Sequence, residues 1–231
     1  MHLNVNHRNL LLFVTAGLAL MFSSCASLTG FQDGRTIGEN RGEVMVSLNS
    51  SGSPEFKDLI NDQDTNNVNV GIPITFPNFE LGGRYGITDK LDVSVKINTT
   101  FSAALGAKYQ LVGNQTSKFA LSAGLDVGTV LLAVYNVQVP LYLSVHPTEM
   151  ITIYATPRYI YQFPFVGLVD WSYAGGNFGL LFGRKHKFGI DAGIYQVGRR
   201  DVGNIRLTTI GIGGKFVFGN SKSDDDRRMR D

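Results

Sequence analysis

The sequence predicts an all-β fold, an up-and-down antiparallel transmembrane β-barrel of about ten strands (8–12). Three observations carry that reading. Residues 91–98 alternate without a fault: Leu91, Val93, Val95 and Ile97 point one way, Asp92, Ser94, Lys96 and Asn98 the other. A period of two is a β-strand with one apolar and one polar face. The same unit, strand then turn, recurs at even spacing to the end of the chain. Finally, the polar face is made mostly of Gly, Ala, Ser and Thr, not the Lys, Glu and Thr that a water-facing sheet displays.

Taken in order, the first strand sets Val44, Val46 and Leu48 against Glu43, Met45, Ser47 and Asn49. A polar loop, 50–69, follows. The second strand is expected over 70–85, with Pro73 and Pro77 bending its start. Thr88, Asp89 and Lys90 turn the chain into the third strand, already described. The fourth places Ala103, Leu105, Ala107, Tyr109 and Leu111 opposite Ala104, Gly106, Lys108 and Gln110. The fifth places Phe119, Leu121, Ala123, Leu125 and Val127 opposite Ala120, Ser122, Gly124, Asp126 and Gly128. The sixth sets Val137, Val139, Leu141, Leu143 and Val145 against Gln138, Pro140, Tyr142, Ser144 and His146. The seventh, after a turn at Pro147, sets Ile151, Ile153, Ala155, Tyr159 and Tyr161 against Thr152, Tyr154, Thr156 and Arg158. A loop over 166–174 holds the single Trp171. Phe178, Leu180 and Phe182 mark the eighth strand, which turns at residues 184–187. The ninth pairs Phe188, Ile190, Ala192 and Ile194 with Gly189, Asp191, Gly193 and Tyr195. The tenth runs over 205–218, and a charged tail, 220–231, closes the chain.

Composition narrows the class. Charged residues are 17% of 231, below the roughly 25% of soluble domains. A net charge of +2 with no basic stripe gives no case for nucleic acid. One cysteine excludes an internal disulfide. At the N-terminus, His7 and Arg8 precede an apolar run, 10–22, too short to span a membrane and suited to a signal sequence. Phe22-Ser23-Ser24-Cys25 resembles a bacterial lipobox, which implies cleavage after residue 24 and a lipidated Cys25. An ordinary signal peptide cut after Ala26 is the alternative. Residues 25–41 read as a polar periplasmic tether, reaching about 3.3 Å per residue when extended, and 42–219 as the barrel.

The polar face carries about one charge per strand, and the signs match: Glu43, Glu80, Asp92, Asp126 and Asp191 against Arg84, Lys96, Lys108, Arg158 and Lys215. Buried charges need partners, so this face is expected inside, as a lumen charge network. The apolar face is nearly free of charge and is expected in lipid. Its aromatic girdles are Tyr85, Tyr109, Phe119, Phe188 and Phe216 at one rim, with Phe76, Tyr159, Tyr161 and Phe178 toward the other.

Residues 80–97, ELGGRYGITDKLDVSVKI, are similar to a hairpin of poorly characterised small outer-membrane β-barrel proteins of Gram-negative bacteria. The whole mature chain resembles that group. Gly213-Gly214-Lys215-Phe216-Val217-Phe218 resembles the terminal signal such proteins show to the barrel-insertion machinery, with Gly213, Phe216 and Phe218 as its contacts. The resemblance implies the Gram-negative outer membrane, with both termini periplasmic. It implies no activity.

Asp62, Asp64 and Asn66 open like a calcium loop, but Asn67 and Pro73 replace its required Gly and Glu, so no metal or other cofactor is expected. No G-x-S-x-G, H-E-x-x-H or phosphate-binding loop occurs. His146 falls on the polar face and His186 in a turn, so no catalytic residue is assigned and an enzyme is not expected. Three readings of function remain. The first is a structural or surface-interaction barrel with a lumen closed by paired charges. The second is a small ion or solute channel lined by Lys96, Lys108 and Arg158 against Asp92 and Asp126. The third is a lipid-anchored barrel that binds an apolar ligand.

Overall fold

Strands with two unlike faces need a partner on each edge, and closing the sheet on itself is the arrangement that leaves no edge unpaired. The computed structural model, which describes residues 30–52, 77–164, 170–199 and 203–219, is such a closed sheet. It has ten strands: β1 (Gly42–Gly52), β2 (Asn78–Gly86), β3 (Leu91–Asn98), β4 (Ser102–Val112), β5 (Phe119–Val130), β6 (Val134–Val145), β7 (Ile151–Pro164), β8 (Trp171–Phe182), β9 (Lys187–Arg199) and β10 (Gly203–Phe218). Each strand pairs antiparallel with its sequence neighbours. The seam closes between β1 and β10, from Gly42 opposite Phe218 to Gly52 opposite Thr208.

The two faces are inverted relative to a water-soluble protein. Val95, Ile97, Leu105, Leu125, Ile194 and Ile210 are exposed, whereas Asp92, Lys96, Lys108, Asp126, Asp191 and Lys215 are buried. An apolar outer surface around a polar, charged interior is the arrangement of a barrel that crosses a membrane. Each strand places its residues on the side that its alternation predicts. The pattern slips once, in β4, where Gln110 pairs with Ser122 but Val112 pairs with Leu121. That bulge inserts Leu111, and Leu111 and Val112 are both exposed. On the outer face Gly214 would crowd Phe188 if it carried a Cβ, at 2.8 Å from the ring. The ring of Phe188 covers that bare stretch of backbone and meets Phe216 edge-on, centroids 5.4 Å apart.

The near rim holds the start of β1, the end of β10 and the turns at 87–90, 113–118, 146–150 and 183–186. The far rim holds the other connections. Two of these, 99–101 and 131–133, are as short as the near-rim turns, with Phe101, Leu131 and Leu132 at positive φ. The simple rule of short turns on one side and long loops on the other therefore fails at β3–β4 and β5–β6.

Four further expectations change. The second strand begins at Asn78, just after Pro77, and not at residue 70; residues 70–76 lie outside the described part of the chain. Trp171 opens β8 instead of sitting in a loop. Phe178 lies well within β8, closer to the near-rim turn at Gly183 than to the far rim where its girdle was expected. Residues 30–41 do not form a free tether, as described below. The signal segment with Cys25, the Asp62–Asp64–Asn66 motif, Phe76 and the tail from residue 220 lie outside the described residues.

Val95 sits inside β3, opposite Gly83 and Leu105, and points outward. Val95→Arg is expected to destabilise the lipid-inserted barrel by about 2–4 kcal/mol, and the lumen-side Ser94→Thr to be close to neutral. Equilibrium refolding into vesicles measures both, and the reverse ranking would mean the faces are assigned the wrong way round.

Candidate functional site

The inward positions of the strands define the site. Glu43, Glu80, Arg84, Asp92, Lys96, Lys108, Asp126, Arg158, Asp191 and Lys215 are all buried in the lumen. Arg84 is the hub of the near-rim half. Its Nη2 lies 2.7 Å from Glu43 Oε1 and its Nη1 3.5 Å from Asp92 Oδ2. Lys108 reaches the same Asp92 oxygen at 3.6 Å, and Lys215 reaches Glu43 Oε2 at 3.8 Å. Lys108 also stands over the Tyr142 ring, 5.3 Å from its centroid, a cation–π contact. Asp191 accepts hydrogen bonds from the Tyr154 hydroxyl (2.7 Å) and Asn177 Nδ2 (2.6 Å). Arg158 donates to Gln138 Oε1 at 3.4 Å. Lys96 and Asp126 stand apart: among the described residues neither has an opposite charge within ion-pair distance.

The rest of the near-rim lumen is filled by the protein's own chain. Residues 30–37, part of the 25–41 stretch read from sequence as tether, run inside the barrel, with Phe31, Gln32, Asp33, Thr36 and Ile37 buried. The segment has no regular structure, so its main-chain groups must find partners on the wall. They do so strand by strand. Gly30 N–H donates to Asp191 Oδ1 (3.4 Å) and Gly34 N–H to Ser144 Oγ (2.9 Å). Thr36 N–H donates to Gln110 Oε1 (3.2 Å), and Ile37 N–H to the Asp92 carboxylate (3.2 Å). In the other direction, Ser122 Oγ donates to the Gly34 carbonyl (2.6 Å), and Lys108 Nζ to the carbonyls of Asp33 (3.2 Å) and Arg35 (2.7 Å). Phe31 packs with Met45, Tyr154 and Leu181. Gly213 makes room for it, since a Cβ there would stand 3.1 Å from the Phe31 ring. Gly34 is held tighter still: a Cβ would collide with the Ala120 carbonyl and come within 2.8 Å of the Tyr142 carbonyl.

Asp33 is the charged centre of this plug. Its Oδ2 lies 2.9 Å from Lys215 Nζ and 3.7 Å from Lys187 Nζ. Burial opposes ionisation of Asp33, but Lys215, Lys187, Lys108 and Arg84 outweigh it and hold the carboxyl well below its ordinary value of 3.8. Lys187, read from sequence as a turn residue, is the first residue of β9 and mostly buried. Among the described residues the wall thus carries six cations (Arg84, Lys96, Lys108, Arg158, Lys187, Lys215) against five carboxylates (Glu43, Glu80, Asp92, Asp126, Asp191). Asp33 supplies the sixth.

Lys187 also donates to Thr152 Oγ1 (2.7 Å), which meets His146 Nδ1 at 3.0 Å; His146 Nε2 meets Ser144 Oγ at 2.9 Å. Burial lowers His146, just beyond β6, to about 4, so its ring is neutral at ordinary pH. A serine against a histidine can be a nucleophile and its base. Here the serine oxygen is engaged by the plug, and the far side of the imidazole meets a threonine instead of a carboxylate. The couple serves as a hydrogen-bonded link between plug and wall.

Toward the far rim the lumen is closed differently, by Ile160, Tyr173, Tyr195 and Val197, with Trp171 and Leu207 packed against them. Tyr195 was expected on this face, but inward Ile160, Tyr173 and Val197 were not anticipated for a polar lumen. Beside the plug, a void next to Gln32, Glu43, Arg84 and Lys96 measures about 10 Å³, room for at most one water. An apolar groove, along Val46, Leu48, Phe79, Phe188 and Ile212, opens on the outer surface.

No family model matches this chain, and no curated protein matches it. Among solved structures it is similar to the NanC porin, at 9% identity over 75% of this chain and 98% of that one, with a TM-score of 0.42. It is also similar to OprG of Pseudomonas aeruginosa (13% identity, 79% and 98% covered, TM-score 0.33) and to the attachment invasion locus protein Ail of Yersinia pestis (13%, 78% and 99%, 0.32). At these values none of them bears on activity.

Asp33 has a folded pKa below its unfolded one, so its pairing contributes stability at neutral pH that is lost as pH falls through the folded value. Below pH ~4 the native chain is expected to lose stability more steeply than Asp33→Asn, while from about pH 5 to 8 the two profiles run parallel. Urea titrations in detergent at each pH give the comparison; equal slopes in acid would remove Asp33 from the role described.

Proposed function

We propose that this is an outer-membrane β-barrel of a Gram-negative bacterium with a structural or surface-interaction role, its lumen sealed at rest by its own chain. The observation that carries the reading is the charge match. The wall holds one cation in excess, and Asp33 of the plug supplies the balancing carboxylate. Charges at low dielectric are costly unless paired, so emptying the lumen of the plug leaves buried cations exposed to one another. The far-end cluster of Ile160, Tyr173, Tyr195 and Val197 supplies a second seal. The role is not enzymatic in this reading.

The small-channel reading keeps one observation in its favour. The plug is an irregular segment held by side-chain hydrogen bonds and not a strand of the sheet, so it can leave without breaking the barrel. Purified native protein in a planar bilayer is expected to show no stable conductance. Steady, ion-selective openings that change with Lys108→Glu would replace the sealed barrel with a channel.

In the orientation proposed, the near rim faces the periplasm and the far rim faces outward. Phe216 and Phe218 then lie at the periplasmic rim beside His186, ring centroids 5.8 and 6.4 Å away, where the insertion machinery meets the chain end. Gly213 is taken up by the plug side of the strand. The Cys25 anchor fits this geometry. Gly30 bonds to Asp191, four positions into β9 and about 13 Å along the strand from its start. The chain from Cys25 to Gly30 spans up to about 17 Å, enough to return to the near rim. Mass spectrometry is expected to find a diacylglyceryl group on Cys25, and a tag inserted at Lys185 to be unreachable on intact cells. An unmodified terminus at Ser27 would remove the anchor, and a surface-reachable tag would invert the barrel.

A further inference from the structure

The plug shows what the near-rim lumen is shaped to hold. Asp33 presents one carboxylate oxygen, Oδ2, between two ammonium groups, Lys215 at 2.9 Å and Lys187 at 3.7 Å. Its other oxygen, Oδ1, accepts the N–H of Arg35, two residues on, at 3.2 Å. The wall therefore meets Asp33 as a carboxylate, and the rest of the residue meets the wall through its main chain, where Lys108 Nζ takes the Asp33 carbonyl. Around the group, Arg84, Lys108, Lys187 and Lys215 face only Glu43 and Asp92 as wall carboxylates. Without Asp33 this pocket carries two cations more than it has wall partners for.

We infer that Lys187 and Lys215, backed by Lys108 and Arg84, form an anion site for a small carboxylate, which Asp33 occupies in cis. The plug is thereby the site's resident ligand as well as a stopper. Withdrawal of the plug opens this pocket at the near rim. An acidic solute entering from that side meets the same two ammonium groups that Asp33 meets. The site is narrow: one oxygen between two lysines suits formate or acetate, Glu43 holds the other side of Lys215, and Phe31, two residues before Asp33, fills the space toward Met45, Tyr154 and Leu181.

The inference rests on the plug's geometry and holds whether the native barrel is silent or conducts, so the bilayer experiment above and the one here fail independently. Asp33→Ala removes the carboxylate and leaves its space. The full-length variant is expected to be less stable than the native chain in urea, and sodium formate to restore it. Each tenfold excess of formate over its dissociation constant raises the folding equilibrium about tenfold. Sodium chloride at the same ionic strength and neutral formamide are expected to do neither. Asp33→Asn, which fills the space without the charge, is expected to be destabilised and indifferent to formate. If Asp33→Ala does not refold unaided, its refolding yield with formate replaces the urea midpoint as the readout. A response of Asp33→Asn equal to that of Asp33→Ala, rescue by chloride or formamide, or no rescue by formate would each overturn the site.

Discussion

The contact on which the rest depends is the one between Asp33 and Lys215. A barrel in lipid has no water behind its wall, so polar groups on the inward face must be satisfied by one another. Ten strands give an interior little wider than the eight-stranded case that side chains just fill. In so narrow a space charge matching and packing become one problem. The solution here is shared between two parts of the chain that differ in kind. The wall supplies cations in excess on β2, β4, β9 and β10, and an irregular segment brings the carboxylate to them.

The segment is also a study in main-chain satisfaction. An irregular stretch of backbone inside a membrane protein would be prohibitive without donors and acceptors on the wall. Ser122, Ser144, Gln110, Lys108, Asp92 and Asp191 all contribute, and they come from five different strands. The small and polar residues that marked the inward face as a lumen are in several cases there for this purpose. Gly213 and Ser144 are not empty positions but the imprint of Phe31 and Gly34.

Most of the barrel was legible in the sequence because it is written locally. A period of two assigns each residue of a strand to a face, and the ten charges placed inside by that rule are inside. The plug was not legible, because nothing local distinguishes it. Residues 30–41 are polar and rich in glycine, as a solvated linker is, and their partners lie on strands far along the chain, with Asp33 and Lys215 separated by 182 positions. Two hints were present. Phe31 and Ile37 are apolar residues that a tether does not need. Lys187, once assigned to the ninth strand and not to its turn, unbalances the wall by one charge. The far-end cluster escaped for a different reason, since inward Ile160 and Val197 look like ordinary strand hydrophobics and alternation cannot report that a lumen changes character along its length.

The plug precedes β1 in the chain, yet it touches β9 through Asp191 and β10 through Lys215, and β10 is the strand that must zip to β1 to finish the cylinder. The order of assembly is constrained as a result. Either the segment lies across the open sheet while the seam is still parted, or it is drawn in afterwards through the mouth beside the start of its own first strand. In the first case it acts as a mandrel on which the sheet curls, bringing the charges of late-emerging strands to a carboxylate that has been waiting since the N-terminus was made. A nascent barrel of this kind would carry its own gauge of correct closure, because only the right circumference lets one aspartate meet Lys187 and Lys215 of the last two strands through its carboxylate and Lys108 of β4 through its carbonyl.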